Sequence, residues 1–472
     1  MNKVPTIFFL KENQLSDPEA RAMLAGFYSR STESVLTKIE NKSIQEIKES
    51  LKKYAIGYGH KSLLDMANTP LMFIEGVSIL ASKALEFFKL GNYQETSTRY
   101  LDFSKQEFYD PLITKTDISS YLIQQWLNIY SFCQPVIRKE LERKFPKEIF
   151  KQQQGELFSE RVYQNTLNAK VFDITRSLLP AAMKTNVGIS LTLSSAKEWL
   201  GLLIQHPLPE VRYLADLIFI QLHETFPYSF DSLVHFYQKS KLLPEAAKHE
   251  FYFYNDDTFV VDETKINCFK LLEAIDSFSD EEYKIWLLLC ERKNPDTFFQ
   301  FPSFLAKLGS IKIEFTLDYG SWRDLQRHRN VLYNQSSILT GGIENFAFEE
   351  YFDCLDNKEL KKYLELAIFK QFEAIRKLKN AFELSEEEYQ YLYPLGTKVN
   401  CQLVCSLPEL VYILELRSSP SVHYTLRQRI QEIYSKLPKV LKTFVALNKE
   451  SSFFDLKRGT EDIFEIEEKS HA

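Results

Sequence analysis

The chain has 472 residues, 44% of them hydrophobic and 26% charged, which is globular composition with room for two or three domains with real cores. A formal charge of −6 excludes global attraction to nucleic acid or to an anionic membrane, so an anionic ligand has to be caught by a local basic cluster. With 37 Phe and 25 Tyr against 14 Gly, the aromatic payload favours large packed cores in an α-rich α+β class.

The first apolar run, Ile7 to Leu10, is ended by Lys11 and Glu12 before it reaches signal-peptide length. No later stretch approaches the roughly 18 apolar residues of a membrane helix. The six cysteines form no CxxC pair, and their scatter predicts reduced thiols in a soluble cytoplasmic protein without disulfides. A strand is predicted near 71–78, and a polar stretch ends in Gln94-Glu95-Thr96-Ser97-Thr98-Arg99-Tyr100. In an extended segment Glu95, Ser97 and Arg99 point the same way, placing an acceptor, a small donor and a cation together. Such a set suits a sugar hydroxyl and a phosphate; it is also what an ordinary polar loop with a weak Glu–Arg pair looks like. Helical sequence follows around 110–165, and Val211, Leu214, Ala215, Ile218 and Leu222 have the spacing of a core-facing helix.

The polar, Pro-containing segment from Gln238 to Glu250 predicts a boundary near residue 240, giving domains 1–240 and 241–472, with two short strands expected over 251–261. In the second half Ile311, Ile313, Phe315 and Leu317 alternate with Lys312, Glu314 and Thr316, the pattern of a half-buried strand. Then comes Gly320-Ser-Trp-Arg-Asp-Leu-Gln-Arg-His-Arg329, in which Arg323 and Arg327 are spaced to share a helix face before Arg327-His328-Arg329 makes a turn. Guanidinium forks match phosphate oxygens bidentately, so this is a local anion site, or else a solvated basic helix end compensating its dipole. No metal-ligand spacing, P-loop or dinucleotide fingerprint is present, and His223-Glu224 and Cys401/Cys405 read as packing. The acidic tail after Arg458 reads as a solvated end.

The halves are related. Residues 178–202 laid on 392–416 match at Leu178/Leu392, Pro180/Pro394, Lys184/Lys398, Asn186/Asn400, Leu193/Leu407, Leu200/Leu414 and Leu202/Leu416. Each window is followed by a helix with core spacing, the second through Leu426, Ile430, Ile433 and Leu437. Upstream, 71–78 aligns with 311–318, and the second copy is the shorter, by residues that belong to the helical stretch at 110–165.

Gly59-His60-Lys61-Ser62, the strand at 71–78 and Glu95-Thr96-Ser97-Thr98-Arg99-Tyr100 resemble, in order and spacing, the flavin-dependent thymidylate synthases. That family carries Gly-His-x-Ser/Thr, then Arg-His-Arg, then Asn-Glu-x-Ser-x-Arg-Tyr. The first copy has Phe87-Phe88-Lys89 in place of Arg-His-Arg; the second keeps Arg327-His328-Arg329 but has Gln335-Ser336-Ser337-Ile338-Leu339 in place of Glu-x-Ser-x-Arg. Of two further family arginines, the first copy keeps Arg176 before Pro180 and has Leu203 at the other position. The second copy has Gln390 at the former and keeps Arg417. The losses are complementary, as expected when a site shared across a subunit interface is fused into one chain and each half keeps its own contribution. Departures from the family pattern are Asp65-Met66, Asp324 where the family has Gln, and a missing Asn and Arg beyond the proline.

The resemblance implies two tandem α+β copies, each an antiparallel sheet packed with long helices, in a fused pseudo-dimer whose homodimer imitates a tetramer. It implies reductive methylation of dUMP to dTMP, with methylenetetrahydrofolate giving the carbon, FAD the hydride and NADPH the electrons. In that scheme Glu95, Ser97, Arg99 and Arg176 hold the ribose and phosphate of dUMP, and Arg417 is catalytic at the uracil carbonyls. Arg327, His328 and Arg329 line the flavin site, which His60 and Ser62 border. The alternatives are a non-catalytic nucleotide-binding or assembly protein on the same fold, and a flavoenzyme acting on another pyrimidine nucleotide.

Overall fold

The computed structural model describes residues 16–28, 43–52, 67, 72–112, 117–154, 159–232, 244–252, 263–290, 303–382 and 385–448. In the first half the order is β1 (Met72–Ser78), α1 (Ile79–Leu85), β2 (Asn92–Glu95), α2 (Ile118–Lys144), α3 (Glu160–Thr175), β3 (Lys184–Ser190), α4 (Leu193–Leu203) and α5 (Pro209–Thr225). The second half runs β4 (Lys265–Phe269), β5 (Ser310–Asp318), α6 (Tyr319–Gln326), β6 (Tyr333–Ser336), α7 (Lys358–Ala381), β7 (Lys398–Cys405), α8 (Leu407–Arg417) and α9 (Tyr424–Lys436). The sheets have the orders β1-β3-β2 and β4-β5-β7-β6, so the second repeats the first and adds β4 at one edge. Two tandem α+β copies are thus present, and α2 and α3, with a short helix Lys147–Gln154 between them, occupy the interval in which the second copy has α7 as its one long helix.

The period-2 pattern of β5 buries Ile311, Ile313 and Phe315 completely and leaves Leu317 4% exposed. Each of those side chains contributes about 1.5–3 kcal/mol of transfer free energy. The register pairs Ile313 with Leu403 and Phe315 with Cys401, both buried, so the alternation extends across the sheet. The second helix after β3 and after β7 also follows its spacing: Val211, Ala215, Ile218 and Leu222 are buried in α5, and Leu426, Ile430 and Ile433 in α9. Leu214 in α5 is only half-buried. Of the strand pair expected over 251–261, Phe251 instead ends a helix, Pro244–Phe251, whose proline sits at its start where a missing N–H is harmless. Residues 253–262 lie outside the described residues, as does the boundary segment at 233–243.

Two compact units form: Met1–Gly76 with Ala81–Glu95 and Thr185–Glu250, and Val77–Leu80 with Thr96–Lys184 and Phe251–Ala472. In the first, Trp199 is 1% exposed and donates its indole N–H to Leu85 O at 2.9 Å, tying α4 to the end of α1. The second unit draws on both halves of the polypeptide. There the indole of Trp126, on α2, donates to Leu392 O at 3.1 Å and meets Phe372, on α7, edge-on.

Equivalent segments of the two copies also bind each other in this second unit. Ala181 N donates to Tyr393 O at 2.9 Å, and the symmetry-related Leu395 N donates to Leu179 O at 2.8 Å. Likewise Ala182 N donates to Tyr391 O at 3.0 Å and Gly396 N to Ser177 O at 2.8 Å, around the bridge between Pro180 and Pro394. This reciprocity is that of a two-fold interface. No helix among the described residues is long and apolar enough to cross a membrane.

Candidate functional site

Arg99, Arg176, Arg327, His328, Arg329 and Arg417 all belong to the second unit, where they gather around α6 and its C-terminal turn. Asp318 begins α6 as its N-cap, accepting from Ser321 N at 2.9 Å. Its other hydrogen bonds come from Tyr351 Oη at 2.6 Å and Thr425 Oγ1 at 2.7 Å, so a 3% exposed carboxylate is fully engaged. Ser321 Oγ lies 2.6 Å from Thr425 Oγ1 and accepts from Arg176 Nη2 at 2.8 Å. Through these bonds Arg176, from the first half, reaches into the start of a second-half helix.

Arg176 is 1% exposed. Burial disfavours its charge, but Tyr351, Asp324, Asp318 and Asp173 around it outweigh burial and hold the guanidinium protonated, above its ordinary value. Its Nη1 lies 3.6 Å from Asp324 Oδ2. Gly320 lets Arg176 pack close against the start of α6: a Cβ there would stand 3.4 Å from Arg176 Nε and 3.2 Å from Asp318 Oδ1, tighter than ordinary contact.

Arg99 pairs with Asp173, on the last turn of α3, at 2.8 Å, and donates through Nη2 to Ser421 O at 3.3 Å. It does not continue an extended segment. The strand stops at Glu95, and Arg99 lies in a turn whose amide donates to Ser97 Oγ at 3.2 Å. The local Ser hydroxyl competes with strand geometry here, so the expected alternation of Glu95, Ser97 and Arg99 on one face does not form. Glu95 belongs to the first unit. There its carboxylate is buried, accepts from Ser82 Oγ at 2.6 Å and pairs with Lys83 at 3.0 Å.

Arg417, the last residue of α8, donates through Nε to His328 Nε2 at 2.8 Å and through Nη2 to Asp324 O at 2.6 Å. A histidine that accepts at Nε2 carries its proton on Nδ1, which faces Glu409 Oε1 at 3.7 Å. Burial, and then Arg417, push the His328 pKa well below the ordinary value, which keeps the ring neutral and able to accept. His328 therefore positions the Arg417 guanidinium. His423, fully buried, is neutral for the same first reason, with Arg176 and Arg99 adding to it. Its Nε2 donates to Asp173 O at 3.0 Å.

The spacing of Arg323 and Arg327 does not give them a common environment: Arg323 is 5% exposed inside α6, and Arg327, past the helix end, is exposed. A long side chain at a helix terminus carries its charge out to water, which i, i+4 spacing does not register. Arg329 is half-buried. The donor set on this turn fits an anionic cofactor, with Arg327 and Arg329 as cations. Nearby, Asn334, on β6, donates to Leu325 O at 3.4 Å while its own carbonyl oxygen is buried and makes no hydrogen bond. His60 and Ser62 lie outside the described residues.

Sequence reasoning missed Asp173, Asp318, His423 and Thr425, which belong to no motif, passed over Ser321 within the stretch from Gly320 to Arg329, and registered Asp324 only as a departure. Asp324 is nevertheless the hub. Burial raises its pKa, yet Arg176, Arg99, Arg327 and Arg417 together hold it well below the carboxylate range. Four cations from both halves of the chain thus act on one carboxylate within one compact unit. Among the described residues no group of His, Cys, Asp and Glu could hold a metal ion.

Comparison with known proteins agrees with the repeat. The family model described as thymidylate synthase complementing protein matches residues 12–228 and 305–441, one segment in each half. The UPF0159 protein Ta1429 of Thermoplasma acidophilum is 20% identical over 480 residues, covering 89% of this chain and 93% of that protein. A UPF0159 protein of Chlamydia muridarum is 26% identical over 431 residues, covering 82% of this chain and 77% of that one. The crystal structure of the flavin-dependent thymidylate synthase ThyX of Helicobacter pylori, complexed with FAD and dUMP, aligns with 44% of this chain and 93% of its own at 16% identity, with a TM-score of 0.27. With family matches in both halves that together take in well over half of its length, the chain belongs to the thymidylate synthase complementing protein family, as a double-length member.

Proposed function

We propose that the chain is a flavin-dependent thymidylate synthase that converts dUMP to dTMP at one composite nucleotide site in its second unit. The observation that carries this reading is the meeting of Arg99 and Arg176 from the first half with Arg327, His328 and Arg417 from the second, around Asp324. Neither half alone has the set. Methylenetetrahydrofolate supplies the one-carbon unit and NADPH the reducing equivalents, leaving tetrahydrofolate and NADP. FAD, when bound, supplies the hydride that completes the methyl group.

The residues of the chain do the rest. Arg99, with Ser97 beside it in the turn, and Arg176 hold the nucleotide phosphate by charge-assisted hydrogen bonds. Arg417, its guanidinium fixed by His328 and by the Asp324 carbonyl, polarises the uracil carbonyls as negative charge develops on the ring. Arg327 and Arg329 suit the pyrophosphate of the flavin dinucleotide. Cys133, Cys268, Cys354, Cys401 and Cys405 are not poised as nucleophiles, since burial raises the thiol pKa of each.

A non-catalytic nucleotide-binding protein is the second reading, favoured by one observation: Arg99 and Arg176 already have carboxylate partners in Asp173 and Asp324. The deciding experiment measures dTMP formation and FAD binding by the purified full chain, and repeats both with Arg99→Ala and Arg327→Ala. A composite enzyme loses most turnover with either change. A protein that stays colourless in FAD and forms no dTMP supports the second reading, and a silent Arg99→Ala removes the first half from the site.

A further inference from the structure

Asp324 sets a condition on the ligand that the arginines alone do not. Its Oδ2 and the Nε of Arg176 are both buried, and neither makes a hydrogen bond. The guanidinium N–H calls for an acceptor and the carboxylate oxygen calls for a donor, so a ligand that completes both presents the two side by side. Gly320, where a Cβ would crowd Arg176 Nε at 3.4 Å, keeps that donor clear of a side chain. A fully deprotonated phosphate would bring only acceptors to the Asp324 carboxylate.

We propose that Asp324 makes the phosphate site at Arg99 and Arg176 selective for the singly protonated form of a phosphomonoester, whose P–O–H donates to the carboxylate while its other oxygens accept from those two guanidinium groups. The inference rests on the nucleotide reading of this site and refines it. A phosphodiester, which has no P–O–H, is refused on the same ground, as is sulfate, which stays a dianion with no donor. The surrounding arginines keep Asp324 ionised, so it acts as an acceptor only.

Isothermal titration calorimetry of the full chain with inorganic phosphate and with sulfate tests this at about pH 6, where the inorganic phosphate monoanion, which carries P–O–H, predominates. The wild-type protein is expected to bind phosphate at least about tenfold more tightly than sulfate, the difference one charge-assisted hydrogen bond makes. Asp324→Asn supplies an N–H in place of the acceptor, so it should gain sulfate affinity and lose the preference. Equal affinities in the wild-type protein overturn the proposal without needing any variant, as does a preference that persists in a folded Asp324→Asn protein. Absence of phosphate binding counts against it equally. If dUMP binds in that case, the nucleotide site stands without this selectivity; if dUMP also fails to bind, the proposed function falls too.

Discussion

Replacing Arg176 with methionine removes the most deeply buried cation of the site and keeps much of its volume. The side chain is 2% exposed, pairs with Asp324 at 3.6 Å and donates to Ser321 Oγ at 2.8 Å, so the substitution leaves both groups short of a partner. Removing one member of a buried ion pair costs about 3–5 kcal/mol. Asp324 keeps 19% side-chain exposure and three other arginines, which puts the expected loss at the lower end, about 3 kcal/mol. Pairing the change with Asp324→Asn in a double-mutant cycle should return a coupling of about 1–3 kcal/mol. The pH dependence has a definite sign. The folded pKa of Asp324 is depressed, so the stability its pairing brings is complete above about pH 4 and is lost as the pH falls through the folded value. The penalty of Arg176→Met must therefore shrink on strong acidification. Urea unfolding followed by tryptophan fluorescence reads this out, since Trp322, on the helix that carries Asp324, is 2% exposed. A variant within about 0.5 kcal/mol of wild type at neutral pH, or a cycle with no coupling, would refute the reasoning.

Arg417→Ala should lower turnover by about 10²–10³ with a much smaller loss of dUMP affinity, because its interaction strengthens as charge develops. Its counterpart Leu203 is 1% exposed, and Leu203→Ala should cost about 2–5 kcal/mol of stability with turnover per folded molecule unchanged, as steady-state kinetics and urea titration together would show. His206 is pushed down to about 3 by burial and then Arg212, and His328 and His423 are likewise depressed, so each takes up a proton on unfolding below about pH 6.5. Stability should then fall by about 1.4 kcal/mol per pH unit for each of them between that pH and the folded values, and His423→Gln should flatten the slope measured by urea unfolding across pH 5 to 7. Native maleimide labelling at neutral pH should spare Cys133 and Cys354, whose thiols burial pushes up to about 12, and rapid labelling of either would show that their surroundings open.

Much of the fold was legible because its signals are local. The alternation from Ile311 to Leu317 states a strand and its buried face, and the matches between 178–202 and 392–416 state a repeat, since equivalent segments keep equivalent packing. Complementary loss of arginines pointed to a shared site. What it could not convey is partnership at a distance. Arg99 is matched to Asp173 and to the carbonyl of Ser421 by tertiary folding, and no spacing rule connects those positions. Asp318, Thr425 and His423 form a buried network whose members look like cap and loop residues in the sequence. Asp324 registered as a mismatch to a motif; that Arg176 stands 3.6 Å from its carboxylate and Arg417 donates to its carbonyl follows from tertiary folding.

The reciprocal hydrogen bonds around Pro180 and Pro394 have a genetic consequence. In a homodimer every substitution appears on both sides of the axis, so an interface residue cannot specialise without its twin changing as well. Here the residues that exchange those bonds are encoded separately: Ala181 faces Tyr393 where its counterpart Leu395 faces Leu179. Each side of the axis is free to drift as long as the backbone pairing survives. A half can then discard an arginine whose counterpart the other half retains, and the fused gene can hold one well-kept site in place of two identical ones.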